Sequence, residues 1–367
     1  MPPLPLDLLA ARLSRLRDDM RVAGVEALVV TNLVNLRYLT RFSGTAGAAV
    51  VTDAQCRLLV DFRYIVSARE AIADAPIEIA IVEHTYDDGL VALLQASSTR
   101  RIGIEATSLT VSRFNRLSHA LGDRAVLVPT ERLVERRRAV KDACEVATLR
   151  EAGRRLASVA RQVRSFVRAG RSELDIAADI DTAIRAAGFE RPAFETIVAS
   201  GPNGARPHAR PGSRRLTESD GVVLDFGGVY DGYCVDLTRT LRVGGSAPEF
   251  VRLVAAVREA QAAAIATVRP GVRPSEIDAA ARDTLSRHGL GEAFGHGTGH
   301  GLGLEVHEEP RISKLPGALP DEPVVPGMVF TIEPGAYIEG FGGVRIEDDV
   351  LVVEGGCEVL TDVPIDL

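Results

Sequence analysis

The chain has few cysteines, almost no lysine and no long hydrophobic run, and each scarcity narrows what it can do. Its four cysteines, Cys56, Cys144, Cys234 and Cys357, are scattered and form no CxxC pair. That argues against a disulfide framework or a thiolate zinc site and favours a reducing compartment. No stretch is apolar for long enough to span a bilayer, and the opening MPPLPLDLLAARLSRLR has neither a long apolar core nor a cleavage site. A cytoplasmic location without a membrane partner is therefore expected. Lysine occurs only at 141 and 314, so nearly all 43 basic side chains are arginine, a bias that carries no function. Against 50 acidic residues they leave a net charge of −7, and no basic stripe favours nucleic acid. HExxH, GxSxG and GxGxxG are all missing, which removes the simplest zinc-protease, serine-hydrolase and dinucleotide readings.

What is present fits an ordinary globular protein, 46% apolar and 25% charged over 367 residues, long enough for about two domains. Residues 7–23 carry Leu9, Leu13, Leu16 and Met20 at helical spacing and stop at Gly24. Short apolar runs follow at 27–31, 48–52, 57–62, 77–82, 102–105 and 125–128, with helix-like segments near 63–73, 87–96 and 110–121. This alternation predicts an α/β domain over 1–133. Its His84 and His119 read as surface or packing residues. A charged run from Glu131 to Arg138 then opens one long amphipathic helix reaching Phe166, and the second domain fills 134–367.

The second domain carries an internal repeat. Val167-Arg168-Ala169-Gly170 precedes Ser172-Glu173-Leu174-Asp175, and Val268-Arg269-Pro270-Gly271 precedes Ser275-Glu276-Ile277-Asp278. Each serine is expected to cap a helix with an acidic first turn. After the first copy comes Gly221–Thr240, a β-hairpin turning on Asp231-Gly232. That turn pairs Asp236 with Gly227 and leaves Asp225 and Asp236 as diagonal neighbours on one face, roughly 7–8 Å apart at the backbone. A wet face on a half-exposed hairpin is the plain alternative. After the second copy, Gly327–Asp348 reads as a further hairpin, carrying Glu333 and Glu347.

A pseudo-twofold packing of the halves would bring the four carboxylates together, and two divalent cations would neutralise them. Oxygen-rich ligands suit manganese, and added imidazole widens the choice to cobalt, zinc or iron. Three of the seven histidines, His296, His300 and His307, lie within twelve residues, in a run whose glycines permit close approach. Cys234 reads as packing, and Ser200 has no evident base beside it.

Together VLDFGG, VDLTRT, GTGHGLG, TIEPGAY and VRIEDD resemble the pita-bread metallopeptidases of the prolidase, aminopeptidase P and creatinase branch, over nearly the whole chain. The resemblance implies a creatinase/prolidase-type, ribonuclease H-like α/β N-terminal domain and an α+β pita-bread domain with a pseudo-twofold repeat. It implies Asp225 on one metal, His300 and Glu333 on the other, and Asp236 and Glu347 bridging. Glu333 would move the proton, with His208 and His307 beside the scissile carbonyl. His296 would line the substrate pocket, Arg311 would meet a terminal carboxylate, and Arg345 would hold a ligand carboxylate. The activity implied is hydrolysis of Xaa-Pro bonds in dipeptides or short peptides by a homodimer. The alternatives are a creatinase-like hydrolase of another small C–N compound and a non-catalytic peptide-binding module, whose usual sign is loss of ligands.

Overall fold

A computed structural model describes residues 6–73, 75–245, 247–314 and 321–365, so the first five residues of the opening segment lie outside it. The chain divides into two compact units, Met1–Arg138 and Ala139–Leu367. The division falls a few residues beyond 133 because the short helix Glu135–Ala139 is tied to the first unit. Arg137 pairs there with Asp19, and Asn35 donates to Glu135 while accepting from Arg138.

In the first unit a single sheet takes the order β4-β3-β2-β1-β5-β6, built from β1 (Ala27–Val30), β2 (Ala48–Thr52), β3 (Cys56–Val60), β4 (Glu78–Ile81), β5 (Arg101–Glu105) and β6 (Val126–Thr130). The β1-β2 and β2-β3 pairs are antiparallel and the others parallel, a mixed sheet of the expected α/β class. Helix α1 (Leu6–Val22) buries Leu9, Leu13, Leu16 and Met20, the stripe its spacing predicted. The helix α2 (Leu33–Thr40) had no counterpart in the sequence reading; Asn32 caps it by accepting from the N–H groups of Val34 and Asn35. Helices α3 (Ile65–Ala71), α4 (Tyr86–Ala96) and α5 (Val111–Leu121) fall where they were expected, and His84 and His119 are exposed.

The single long helix expected from residue 131 is in fact two. Helix α6 (Glu135–Ala139) ends where Val140 forms a bridge to Met328, and α7 (Ala143–Val163) restarts behind Asp142. Asp142 accepts from the Cys144 and Glu145 N–H groups and Glu145 reaches back, so a capping box sets the start of α7.

The second unit packs helices α7 and α8 (Glu173–Ala186) and helices α9 (Pro248–Thr267) and α10 (Pro274–Arg287) against two sheets. One sheet has the order β10-β9-β7, with β8 also on β9; its strands are β7 (Arg191–Pro192), β8 (Ile197–Ser200), β9 (Gly221–Tyr230) and β10 (Tyr233–Arg242). The other has the order β12-β11-β13-β16-β17, from β11 (Gly299–Gly301), β12 (Glu308–Ile312), β13 (Val329–Ile332), β16 (Asp348–Val353) and β17 (Gly356–Val359), while β14 (Gly335–Ile338) and β15 (Gly342–Arg345) form a separate two-stranded ribbon. Ser172 caps α8 as expected. Ser275 does not cap α10: Pro274 already opens that helix, Arg273 is its cap, and the Ser275 hydroxyl donates to Asp321 instead.

Candidate metal and peptide site

The β9-β10 hairpin holds the predicted register over ten pairs, including Asp236 with Gly227. Asp231 and Gly232 turn it with φ of 48° and 77°, the left-handed pair that a two-residue turn of this type needs. Both strands are buried along almost their whole length, so the half-exposed alternative fails. Asp225 and Asp236 are 9% and 5% exposed. Buried carboxylates of this kind require a proton or a cation.

The second hairpin is not continuous as expected. Its ladder breaks between Ile332–Asp348 and Gly335–Arg345, where Pro334 offers no N–H for pairing. Glu333 and Glu347 occupy that break, where their N–H groups donate instead to the Thr298 and Thr238 carbonyls. Opposite them, β11 presents His300. Its flanking glycines are required by space: a Cβ on Gly299 would stand 1.9 Å from the Thr331 carbonyl oxygen, and one on Gly301 2.1 Å from that of Glu309.

The two halves bring these groups to one place. Asp236, His300 and Glu347 each offer an atom within 4.8 Å of the others, and His300 Nε2 lies 3.5 Å from Glu333 Oε1. Asp225 faces the same cavity, of about 830 Å³, as do His208, His296, His307, Arg311 and Arg345. The His300 and His307 rings meet edge to face at 4.3 Å, and Arg311 pairs across strands with His300. All the sequence-derived site residues therefore line one cavity.

Electrostatics describe a site built for positive charge. Burial first, and then the neighbouring Glu347 and Asp225, push the Asp236 carboxyl well above its ordinary range. Glu347 is raised likewise by burial, Glu333 and Asp225, and burial brings Glu333 up to about 7 despite Arg345. Burial lowers His300 to about 3 and His296 to about 4, so both imidazoles stay neutral, the form that ligates a metal. Burial and Arg311 also lower His307. Among the described residues, the buried Oδ1 atoms of Asp225 and Asp236 have no hydrogen-bond partner. Orphaned acceptors, four carboxylates and one neutral imidazole make a donor set that fits a pair of divalent cations.

Further groups hold this set, and the sequence reading named only Arg345. The buried Arg345 donates to Asp225 Oδ2, to Thr238 Oγ1 at 3.2 Å, to the Tyr337 hydroxyl at 3.0 Å and to the Pro207 carbonyl at 3.2 Å. Thr238 donates its hydroxyl hydrogen bond to Glu347, Tyr337 meets His296 at 2.9 Å, and Asp349 accepts from the Asp236 N–H. A signal for Thr238 existed, since it lies two residues beyond Asp236 and so on the same strand face. Cys234 is buried with its thiol pushed up to about 12, as packing requires, whereas Ser200, expected to have no base beside it, donates its hydroxyl to the Glu173 carboxylate and accepts from Arg214.

Comparison with known proteins agrees with this geometry. Residues 147–354 match metallopeptidase family M24 and residues 12–140 match the creatinase/prolidase N-terminal domain. An uncharacterized peptidase of Bacillus subtilis is 36% identical over 97% of this chain and 99% of its own. The structure of an Xaa-Pro dipeptidase from Bacillus anthracis superposes with a TM-score of 0.93 at 35% identity, covering 98% of this chain and 99% of that one. An X-Pro aminopeptidase from Thermotoga maritima superposes at 0.86 with 34% identity, over 95% of this chain and 99% of its own.

Proposed function

The chain belongs to metallopeptidase family M24, with a creatinase/prolidase-type N-terminal domain, and from this we propose that it removes or splits at Xaa-Pro bonds in dipeptides or short peptides. The observation that carries the reading is the convergence of Asp225, Asp236, His300, Glu333 and Glu347 in one cavity of about 830 Å³. That volume accommodates a short peptide and not a folded chain. Relatives of both kinds share its fold, the dipeptidase at a TM-score of 0.93 and the aminopeptidase at 0.86.

In this reading Asp225 would hold one divalent ion and His300 and Glu333 the other, with Asp236 and Glu347 shared between them; manganese would suit the oxygen-rich set, with cobalt, zinc or iron as alternatives. When bound, the pair supplies a nucleophilic water at neutral pH and polarises the scissile carbonyl. Glu333 accepts the proton and passes it to the departing prolyl nitrogen. His208 and His307, at the cavity wall, donate to the carbonyl oxygen as it gains charge. His296, bonded to Tyr337, lines the pocket, and the exposed Arg311 guanidinium receives the terminal carboxylate of a dipeptide. The same reading places the protein in the cytoplasm as a homodimer, which would sediment at twice the 39.2 kDa chain mass.

Ala-Pro and Ala-Pro-Ala, each offered to stripped and to manganese-loaded protein, test this. Cleavage of the dipeptide alone supports Arg311 as a clamp, and cleavage of the tripeptide supports an aminopeptidase. Cleavage of neither, with two metals bound, overturns the Xaa-Pro assignment.

A further inference from the structure

Two fully buried helix carboxylates, one in each half of the second unit, have no place in the chemistry described so far. Glu173 opens α8 and Asp278 lies a turn inside α10, and both are 0% exposed. They do not occupy matching positions of the repeat. What they share is a bonding pattern: one carboxylate oxygen accepts both the N–H and the hydroxyl of a single residue that directly precedes a glycine.

For Glu173 that residue is Ser200. Oε1 accepts from Ser200 N at 2.8 Å and Ser200 Oγ at 2.7 Å, and also from Asn203 Nδ2 at 3.0 Å. Oε2 accepts from Gly212 N at 3.0 Å. The carboxylate thus grips both ends of the loop 200–212, and His208 sits between them. The loop is also tied to the cavity wall by the Arg345 bond to the Pro207 carbonyl and by Arg210, which pairs with Glu195 at 3.3 Å.

For Asp278 the residue is Thr298. Oδ1 accepts from Thr298 N at 3.1 Å and Thr298 Oγ1 at 2.9 Å. Arg282 pairs with both oxygens of Asp278 and donates to the Phe294 and His296 carbonyls at 2.8 Å each. The Thr298 carbonyl in turn accepts from Glu333 N at 2.7 Å, and His300 follows two residues later. One carboxylate therefore fixes the backbone beneath His296, His300 and Glu333.

The geometry points to Glu173 and Asp278 as paired positioning residues with separate duties: Glu173 sets His208 over the reacting carbonyl, and Asp278 sets the metal-binding His300 and Glu333. The inference rests on the peptidase reading for the roles of these side chains. A carboxylate that only stabilised the fold would affect turnover and metal binding alike. Separate duties predict that the two effects come apart.

The experiment compares Glu173→Gln and Ser200→Ala with Asp278→Asn and Thr298→Val in the full chain. It measures Ala-Pro turnover at saturating manganese and manganese affinity by calorimetry. The first pair should lose about 10- to 100-fold in kcat, the cost of a misplaced catalytic group, while manganese Kd stays within about 3-fold. The second pair should bind at least one manganese about 10- to 100-fold more weakly, as loss of a group orienting a metal ligand does, with kcat largely recovered at saturation. The two serine and threonine variants remove a single hydroxyl and cover the case in which a carboxylate variant does not fold. Equal loss of metal in both pairs, or a lower melting temperature with kcat and Kd unmoved, overturns the inference. If the parent cleaves no Xaa-Pro bond, the peptidase reading fails separately. The calorimetry then still decides Asp278, and a crystal structure of Glu173→Gln decides Glu173: His208 displaced supports the role, His208 unmoved overturns it.

Discussion

Asp236 concentrates the demands of the site in one side chain. Its Oδ1 is buried without a partner among the described residues, its N–H is already committed to Asp349, and Glu347 and Asp225 stand near. Asparagine keeps the shape and removes the charge, so Asp236→Asn should leave the far-ultraviolet spectrum intact and lower turnover by about 1,000-fold or more, as loss of a whole catalytic contribution does. Turnover near the parent value with two metals bound would contradict a bridging role. A residue outside the lining of the cavity supplies the pH test. Asp220 is buried, which opposes ionisation, yet the paired Arg214 and the Thr217 N–H outweigh this and hold its carboxyl below the ordinary range. A depressed folded-state pKa stabilises above the unfolded value of about 4 and is lost as the pH falls through the folded one. Asp220→Asn should therefore cost roughly 2 kcal/mol in urea unfolding at pH 7, the range for hydrogen bonds to charged groups. The gap between variant and parent should narrow as the pH falls below about 4. A gap unchanged at pH 3 would mean that the pair contributes through packing instead.

The elements divide into those whose geometry is set by neighbours in sequence and those set from a distance. The β9-β10 register was legible because Asp231-Gly232 fixes the turn locally, and every pair follows from it. The break at Glu333 and Glu347 was not legible as such. Pro334 signalled it, but an apolar strand, a glycine turn and a second strand read equally well as one continuous hairpin. Asp142 likewise lay inside a run of helical periodicity, and only its capping bonds separate α6 from α7. The glycines around His300 were read correctly as permitting close approach, and the structure supplies the obstacle, the Thr331 carbonyl. Gly299→Ala should thus displace β11, costing about 3 kcal/mol or more from overpacking with backbone shift. It should weaken metal binding with it. Parent-like stability and metal affinity would show that β11 yields freely.

At the scale of the molecule, the candidate ligands were legible from sequence because each stands in a short, distinctive surrounding. Of the groups that hold them only Arg345 was, because Tyr337, Glu173 and Asp278 act through contacts 8 to 41 residues away that periodicity does not encode. The duplicated unit gathers several buried carboxylates at one point, so its native state should gain from cation binding. A cation at 100 times its Kd adds about 2.7 kcal/mol. Manganese should accordingly raise the melting temperature of stripped protein by several degrees, and no shift at saturating manganese would argue against a metal site. The central claim, metal-dependent cleavage of Xaa-Pro bonds, is tested most directly by following Ala-Pro hydrolysis as manganese is added in measured equivalents to stripped protein, with Ala-Ala in parallel. The account predicts no turnover without metal, a rise that levels at two equivalents, and preference for Ala-Pro. Full turnover by the stripped protein, or Ala-Ala cleaved as fast as Ala-Pro, would contradict it.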